Sequence, residues 1–346
     1  MLNTWHLEGS MARAVRRQHV HTCTAAQRLV AAVAAFVACA ALSPMAAAQS
    51  SMTMAQPTGD APHWPVVKEG KTIKITPHVY VIPDEHVPQV PNVGIIVGSK
   101  ATLIVDPGMG VASGEAIARE VAKVSKNADV YIVNTHFHPE HTTGDAAFPK
   151  AKILRAAAQQ QDVEEMGMKW VGTFSERSAN MAKVLEGATF RKPDEVFEKE
   201  KTLDLGGVRV RMLRLGPGHT RGDTVMYVEG DGVMFSGDLA MRNIFPAFAT
   251  PQSSARTWLT SLDEMDRFKA ARVVPAHGDL TDASVVDAYR GFLKTLQVRV
   301  GELKRDGKTA KETAELLQDE FKGKYPAWAQ PIRVHPAVMV VYFEQP

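Results

Sequence analysis

Three histidines and a glutamate fall within six residues, in the order His136-Phe137-His138-Pro139-Glu140-His141, directly after the apolar run Val130-Tyr131-Ile132-Val133. No other feature constrains the fold of this chain so strongly, because imidazoles packed this densely behind a buried strand have to converge on something. On extended backbone, residues two apart project to the same side, so His136 and His138 can share one ion. Pro139 favours the first position of a helix, which places Glu140 and His141 on its opening turn and displaced to one side. The spacing therefore predicts two neighbouring metal positions. Neutral imidazole and carboxylate ligands suit zinc, and a catalytic zinc site keeps one coordination position open for water. His63, His78, His86 and His335 have no partner pattern and read as surface or core histidines.

The N-terminus reads as a secretory signal peptide. Arg13, Arg16 and Arg17, with Arg28 closer in, precede an apolar run from Leu29 to Leu42, and Ala46-Ala47-Ala48-Gln49 supplies a cleavage site after Ala48. An anchoring helix is the rival, but the run is short and rich in alanine. A lipidation signal at Cys39 is disfavoured by Phe36 three places before it, and Met11 competes with Met1 as the start. Residues 1–48 hold four arginines and one acid, so cleavage takes 40 basic and 38 acidic residues to 36 and 37, a net charge of −1. The basic balance belongs to the leader, and the remainder offers nothing for nucleic acid or an anionic membrane. Both cysteines, Cys23 and Cys39, leave with the leader, so the mature chain holds no disulfide. A periplasmic or secreted protein acting on a small molecule is expected, with no membrane contact after cleavage.

Residues 49–70 read as a flexible segment, and one domain is expected over 71–346. Strands are expected at Val79–Ile82, Val93–Val97, Leu103–Val105 and Val130–Val133, with a helix over Ser113–Val124. A βα unit follows around Ile153-Leu154, then one long helical stretch from Ala156 to Leu185. In that stretch Met166, Met168, Trp170 and Phe174 read as helix packing in preference to a substrate wall. Val208–Met212 alternates as a half-exposed strand, and Thr224–Val228 with Val233–Phe235 form a hairpin around Gly230-Asp231-Gly232. Asn92–Asp106 can be laid over Asp223–Asp238, a weak duplication suggesting two similar halves packed face to face. Helices at Ser254–Phe268, Asp282–Arg305 and Thr309–Phe321, with a strand at Ala271–Val274, complete an α/β sandwich: helix layer, two sheets, helix layer. Arg242-Asn243-Ile244-Phe245 either lines the pocket or packs on itself.

Three later residues sit where strands end: His219 in Gly216-Pro217-Gly218-His219-Thr220, Asp238 in Phe235-Ser236-Gly237-Asp238, and His277 in Val274-Pro275-Ala276-His277-Gly278. In this order, with the first motif, they closely resemble the metallo-β-lactamase superfamily, whose motif is H-x-H-x-D-H followed by a later His, a bridging Asp and a final His. The resemblance runs from about Ile73 to Gly278 and implies the four-layer αββα sandwich with the site at the edge between the sheets. It implies that His136, His138 and His219 hold a first zinc, and that His141 and His277 hold a second, bridged by Asp238. Asp106, in Leu103-Ile104-Val105-Asp106-Pro107-Gly108, matches a family Asp that supports the ligands by hydrogen bonds; a plain turn aspartate is the alternative. Glu140 departs from the family, which has Asp there. It either binds the second metal with shifted geometry, the favoured reading, or leaves it and serves as a base.

The activity implied is metal-assisted hydrolysis, with a hydroxide held between two zinc ions attacking the carbonyl of an ester, lactone, thioester or amide, and Glu140 or Asp238 handling the proton. A periplasmic β-lactamase is the runner-up, disfavoured because members dedicated to β-lactams usually have Cys or Ser where this chain has Asp238. An iron-dependent oxidoreductase of the same fold and a non-catalytic metal-binding protein are rivals of other classes. The first suits the full histidine motif less well than zinc does, and the second would be expected to have lost a ligand.

Overall fold

A computed structural model describes residues 65–346. The expected leader, residues 1–48, and the expected flexible segment up to residue 64 lie outside the described residues. From Pro65 onward the chain is packed: Val67 is buried, and the Gly70 amide donates to Glu120 Oε1 at 2.7 Å.

Seven strands form the first sheet, in sequential order: β1 (Ile73–Lys74), β2 (Val79–Ile82), β3 (Val93–Val97), β4 (Ala101–Val105), β5 (Asp129–Val133), β6 (Lys152–Ala156) and β7 (Glu195–Phe197). The second sheet runs in the order β12-β11-β10-β9-β8, with β8 (Glu200–Asp204), β9 (Arg209–Arg214), β10 (Thr224–Val228), β11 (Val233–Gly237) and β12 (Arg272–Pro275). Strands β3, β4 and β11 are buried on both faces and read as almost unbroken runs of apolar and small residues. The two-residue period then sorts the side chains. Leu103, Val105 and Val133 meet Val210, Met226 and Phe235 between the sheets, while Ile104 and Ile132 turn outward onto Ile117 and Val121 of α1 (Gly110–Val124). Gly94 lets the sheets close, since a Cβ there would lie 2.4 Å from the Phe235 ring.

Shorter helices fill the connections of the first sheet. α2 (Pro139–Thr142) lies between β5 and β6, and α3 (Ala157–Asp162), α4 (Met168–Ser175) and α5 (Ala179–Val184) lie between β6 and β7. The outer face of the second sheet carries Leu213, Val225, Met234 and Val273. Four C-terminal helices cover it: α6 (Ala255–Asp266), α7 (Ser284–Arg305), α8 (Ala310–Lys324) and α9 (Val334–Glu344). Trp258, Leu262, Tyr289, Phe292 and Phe321 fill the space between. Helices, two sheets and helices make the αββα sandwich. The suggested duplication has a counterpart in topology. The hairpins β3–β4 and β10–β11 are each extended by a parallel strand, β5 and β12 respectively. Among the described residues no helix is long and apolar enough to cross a membrane.

Several elements differ from the sequence expectation. The single helix expected from Ala156 to Leu185 is broken into α3, a π turn (Val163–Gly167), α4 and α5. The break has a local cause in the second half: Ser178 caps α5 by accepting from the Met181 amide, which starts a new helix after Arg177. Strands β7 and β8 carry Glu195, Glu200 and Lys201 and sit at the sheet edges, where charge deters edge-to-edge pairing and masks an apolar pattern. α9 is rich in Val, which makes its composition strand-like; it is helical because Val334, Ala337, Val338 and Val341 bury one face in the helical core.

Candidate metal centre

Strand ends at one rim of the sandwich supply the candidate site. β5 runs into His136 and His138, and α2 opens directly behind them, with Pro139 at its start and Glu140 and His141 on its first turn. Asp106 follows β4, Asp238 follows β11, and His277 lies two residues past β12. His219 comes from the loop after β9, which Asp223 holds by accepting from the Thr220 amide at 2.9 Å and the Gly218 amide at 3.2 Å. The structure brings together all seven residues expected to be ligands. They form three overlapping groups: His136, His138 and His219; His136, His141 and Asp238; and Glu140, His141 and His277, with the ligand atoms of each group lying within 4.8 Å of one another.

Hydrogen bonds fix which ring nitrogen each histidine presents. A carbonyl can only accept, so His219 Nδ1, 2.6 Å from the Ala247 oxygen, and His277 Nδ1, 2.9 Å from the Val90 oxygen, must carry their protons. Both Nε2 lone pairs therefore face the cluster. His141 Nδ1 donates to Asp106 Oδ2 at 3.0 Å, which leaves Nε2 as the ring nitrogen directed at the cluster. Asp106 also accepts from the Thr135 amide and hydroxyl, both at 2.7 Å, and it adopts a φ of +57°, which Asp tolerates better than most residues. It is thus a supporting group for His141, and its two oxygens are already engaged.

These atoms fit a cation. His138 Nδ1 lies 3.0 Å from His136 Nε2 and 3.3 Å from His219 Nε2, and a single proton cannot serve both contacts. Those separations approach the edge of a zinc tetrahedron, about 3.3 Å for Zn–N bonds of about 2.0–2.1 Å. Burial, reinforced by the neighbouring histidines, pushes His136 and His138 well below the ordinary imidazole range, so both are neutral and able to ligate. Burial alone would lower His141 too, but the charge and hydrogen bond of Asp106, with Glu140 and Asp238, raise it to about 9. Burial would raise Asp238, yet His219, His277, His141 and Arg333 hold it below its ordinary value. Asp238 lies 3.6 Å from His219 Nε2 through one oxygen and 3.9 Å from His277 Nε2 through the other, which places it between the two halves of the cluster. His141 Nε2, Glu140 Oε2 and Asp238 Oδ1 are buried without hydrogen-bond partners. Each such orphan costs about 1–3 kcal/mol, which coordination would offset.

Several residues of this region carry no signal in the sequence that would assign them. Asn92 donates from Nδ2 to the carbonyls of Pro275 and Gly278 at 2.9 and 2.8 Å, and Asp84 accepts from the Gly278 amide at 2.7 Å, so together they fix the loop that carries His277. Their only mark is local, an Asp and an Asn within nine residues of a turn, and the partner loop is distant in sequence. Trp170 serves the expected helix packing, against Phe174 and its neighbours, and also lies against the site: its ring centre is 4.3 Å from that of His138. The π turn before α4 rotates it there, which a uniform helical period does not foresee. Arg242 and Asn243 line a separate cavity with Lys74, Arg272 and Thr281, and Phe245 packs among Phe292, Tyr325 and Trp328. His78 pairs with Asp231, His86 with Asp279, His335 is exposed, and His63 lies outside the described residues.

Asp106→Asn is expected to weaken metal retention about 10- to 100-fold, because the amide places a donor where Oδ2 accepts from His141 and Thr135. Titration against a competing chelator checks it. Wild-type affinity in the variant would reduce Asp106 to a turn residue.

Comparison with known proteins agrees with this architecture. A family model for the metallo-beta-lactamase superfamily matches residues 86–277. The chain is 26% identical over 215 residues to a linear primary-alkylsulfatase of Pseudomonas sp., a match covering 53% of this chain and 40% of that enzyme. It therefore spans less than half of that relative's length. The human acyl-coenzyme A thioesterase MBLAC2 is 22% identical over 205 residues, covering 54% of this chain and 72% of the thioesterase. Among solved structures, the inverting sec-alkylsulfatase Pisa1 from Pseudomonas sp. superposes with a TM-score of 0.60 at 16% identity, over 79% of this chain and 50% of that one. Likeness at that identity bears on the fold alone.

Proposed function

The chain belongs to the metallo-β-lactamase superfamily, and from that premise we propose that it is an exported hydrolase that holds two zinc ions and cleaves an ester, lactone, thioester or amide of a small molecule. The observation that carries this reading is the convergence of His136, His138 and His219 at 3.0 and 3.3 Å, with Asp238 set between them and the His141 and His277 pair. His136, His138 and His219 would hold one ion, His141, His277 and Glu140 the other, and Asp238 would reach both. Bound zinc supplies Lewis acidity, which polarises a scissile carbonyl and acidifies water enough for attack near neutral pH. The residues of the chain do the rest. Glu140 Oε2 and Asp238 Oδ1, buried and without hydrogen-bond partners, are the bases available for the proton of the attacking water. Trp170 covers the His138 ring and keeps bulk solvent from that side. Glu140 reaches the same group as His141 and His277, which favours its retention as a ligand despite the added methylene. Export rests on the composition of residues 1–48 alone.

Sulfate-ester hydrolysis is the second reading, favoured by the sequence likeness to the linear primary-alkylsulfatase. A β-lactamase is disfavoured by Asp238. One experiment separates these. Residues 49–346 are purified without added metal, analysed for metal content, and assayed against a carboxyl ester, a lactone, a thioester, a primary alkyl sulfate and a β-lactam. Two zinc ions per chain, with hydrolysis lost on chelation, are expected. One iron per chain, or no bound metal, would overturn the zinc mechanism.

A further inference from the structure

The loop that carries His219 is held from outside by a helix that the metal chemistry does not use. Asp223 fixes the shape of the loop from within, and on one side the Ser253 hydroxyl donates to the His219 carbonyl at 2.6 Å. The other side rests on α3. Asp162, fully buried and the last residue of α3, accepts from the Gly222 amide at 2.9 Å through Oδ2. Its Oδ1 stands 3.3 Å from Arg221 Nε without a hydrogen bond. Arg221 also donates to both carboxylate oxygens of Glu165, at 3.1 and 2.5 Å, and Glu165 lies in the π turn Val163–Gly167. No side chain fits between loop and helix at Gly222, where a Cβ would lie 2.3 Å from the Gln159 Cα.

Helix α3 thereby meets the group of His136, His138 and His219 from two directions. Through the π turn it leads into α4, whose Trp170 ring lies against His138. Through Asp162 it seats Gly222, three residues past His219. The rings of His138 and His219 are 4.9 Å apart, edge to face. Stability does not explain the carboxylate. Burial lifts Asp162 to about 7, although Arg221 and the Gly222 amide pull the other way. A buried ion pair with an unpartnered oxygen adds little net stability or costs some. What a buried acceptor secures is position, because a backbone N–H deprived of its acceptor in the interior is costly and the loop stays where the acceptor is. A metal site accepts errors of only about 0.2 Å in its bond lengths, so a small shift of the loop is felt by the ion.

We propose that Asp162, through the Gly222 amide and Arg221, is a positioning residue for His219 and sets the affinity for the ion that His136, His138 and His219 would share. This rests on the two-zinc hydrolase reading and names what holds one of its ligands in place.

The test compares wild type with Asp162→Ala, Asp162→Asn, Arg221→Gln and His219→Ala by zinc titration against a competing chelator, with thermal unfolding in excess chelator as the check on folding. Asp162→Ala is expected to weaken one of the two ions about ten-fold or more, the one that His219→Ala also loses, and the other ion less than about three-fold. Asp162→Asn keeps an acceptor for the Gly222 amide and is expected to recover part of that loss. Wild-type affinity in Asp162→Ala, or equal weakening of both ions, would overturn the proposal. Should Asp162→Ala fail to fold, Asp162→Asn and Arg221→Gln carry the test. Binding of that ion at least about three-fold weaker supports the proposal, and wild-type affinity in both overturns it. If wild type binds no metal, the hydrolase reading fails, and hydrogen exchange of the metal-free proteins still reads the clamp. Amides 218–222 exchanging about ten-fold faster in Asp162→Ala, with β6 unchanged, support it, and equal exchange overturns it.

Discussion

His138→Ala is expected to empty one metal position and to lower hydrolytic kcat/KM at least about 1,000-fold, equivalent to about 4 kcal/mol of transition-state stabilisation. His138 is chosen because its Nδ1 stands between the Nε2 atoms of His136 and His219, at 3.0 and 3.3 Å, so its removal leaves that group without its central donor. The backbone survives the change, because the Thr142 hydroxyl bonds the carbonyl of residue 138, not its ring. Thermal unfolding separates loss of metal from loss of packing. An ion that binds only the folded state stabilises it by mass action, so the variant should fall below wild type in the presence of zinc. With chelator the two should nearly converge, apart from the lost contact between the imidazole and Trp170. A variant that kept two ions and more than about a tenth of the activity would remove His138 from the ligand set.

Arg155→Met is expected to cost about 3–5 kcal/mol at pH 7, the largest stability loss foreseen for a single substitution outside the metal cluster. Arg155 on β6 and Asp145, in the 3-10 turn Thr143–Ala147 directly after α2, are both fully buried and 3.9 Å apart. The arginine also donates to Gln160 Oε1 and to the Arg191 carbonyl, whereas neither carboxylate oxygen of Asp145 has a hydrogen bond. Burial lifts Asp145 to about 6, although Arg155 and Arg191 pull the other way, and burial lowers Arg155. Because the folded-state pKa of Asp145 is raised, its contribution to stability is fully present below about 3.8 and is lost as pH rises through about 6. Removing Arg155 raises the carboxyl further. The deficit of the variant relative to wild type should therefore be smallest near pH 4, where it reflects the lost bonds and packing of the guanidinium, and should grow by at most about 1.4 kcal/mol per pH unit above about 6. Urea unfolding at several pH values measures it, and the double variant Arg155→Met/Asp145→Leu is expected to regain most of the loss, since the expense lies in stranding one charge. A single variant within about 1 kcal/mol of wild type at every pH would mean that Asp145 is solvated by some other group.

The parts of this protein legible in one dimension are those whose partners are close in sequence. His136, His138 and His141 declare a shared site because strand and helix periodicities turn spacing into direction. His219, Asp238 and His277 are separately unremarkable loop residues; what marks them is their order and surroundings behind the first motif, which resemble those of the metallo-β-lactamase superfamily. Asp106 shows the limit. Its own surroundings in the sequence fit support and an ordinary turn equally, and its role is defined by Thr135 and His141, about thirty residues away. The charged edge strands β7 and β8 escape notice for a different reason, since exposure on most of their residues leaves no apolar alternation to read.

By itself, then, the sequence determined the α/β sandwich, because burial on both faces writes apolar runs into strands such as β3, β4 and β11, and it marked the candidate ligand set through the order of residues that resembles the metallo-β-lactamase superfamily. It also placed Asp106 and Asp238 at equivalent points of two similar halves. Tertiary structure alone decided the surroundings of that set. Which nitrogen each imidazole presents is decided by carbonyls from distant loops, at Val90 and Ala247. That Trp170, while packing on Phe174, also lies against His138 is visible only in the folded chain. Such encounters carry no local periodicity. They follow from how the layers stack, and only the assembled sandwich brings those carbonyls and rings to the same rim.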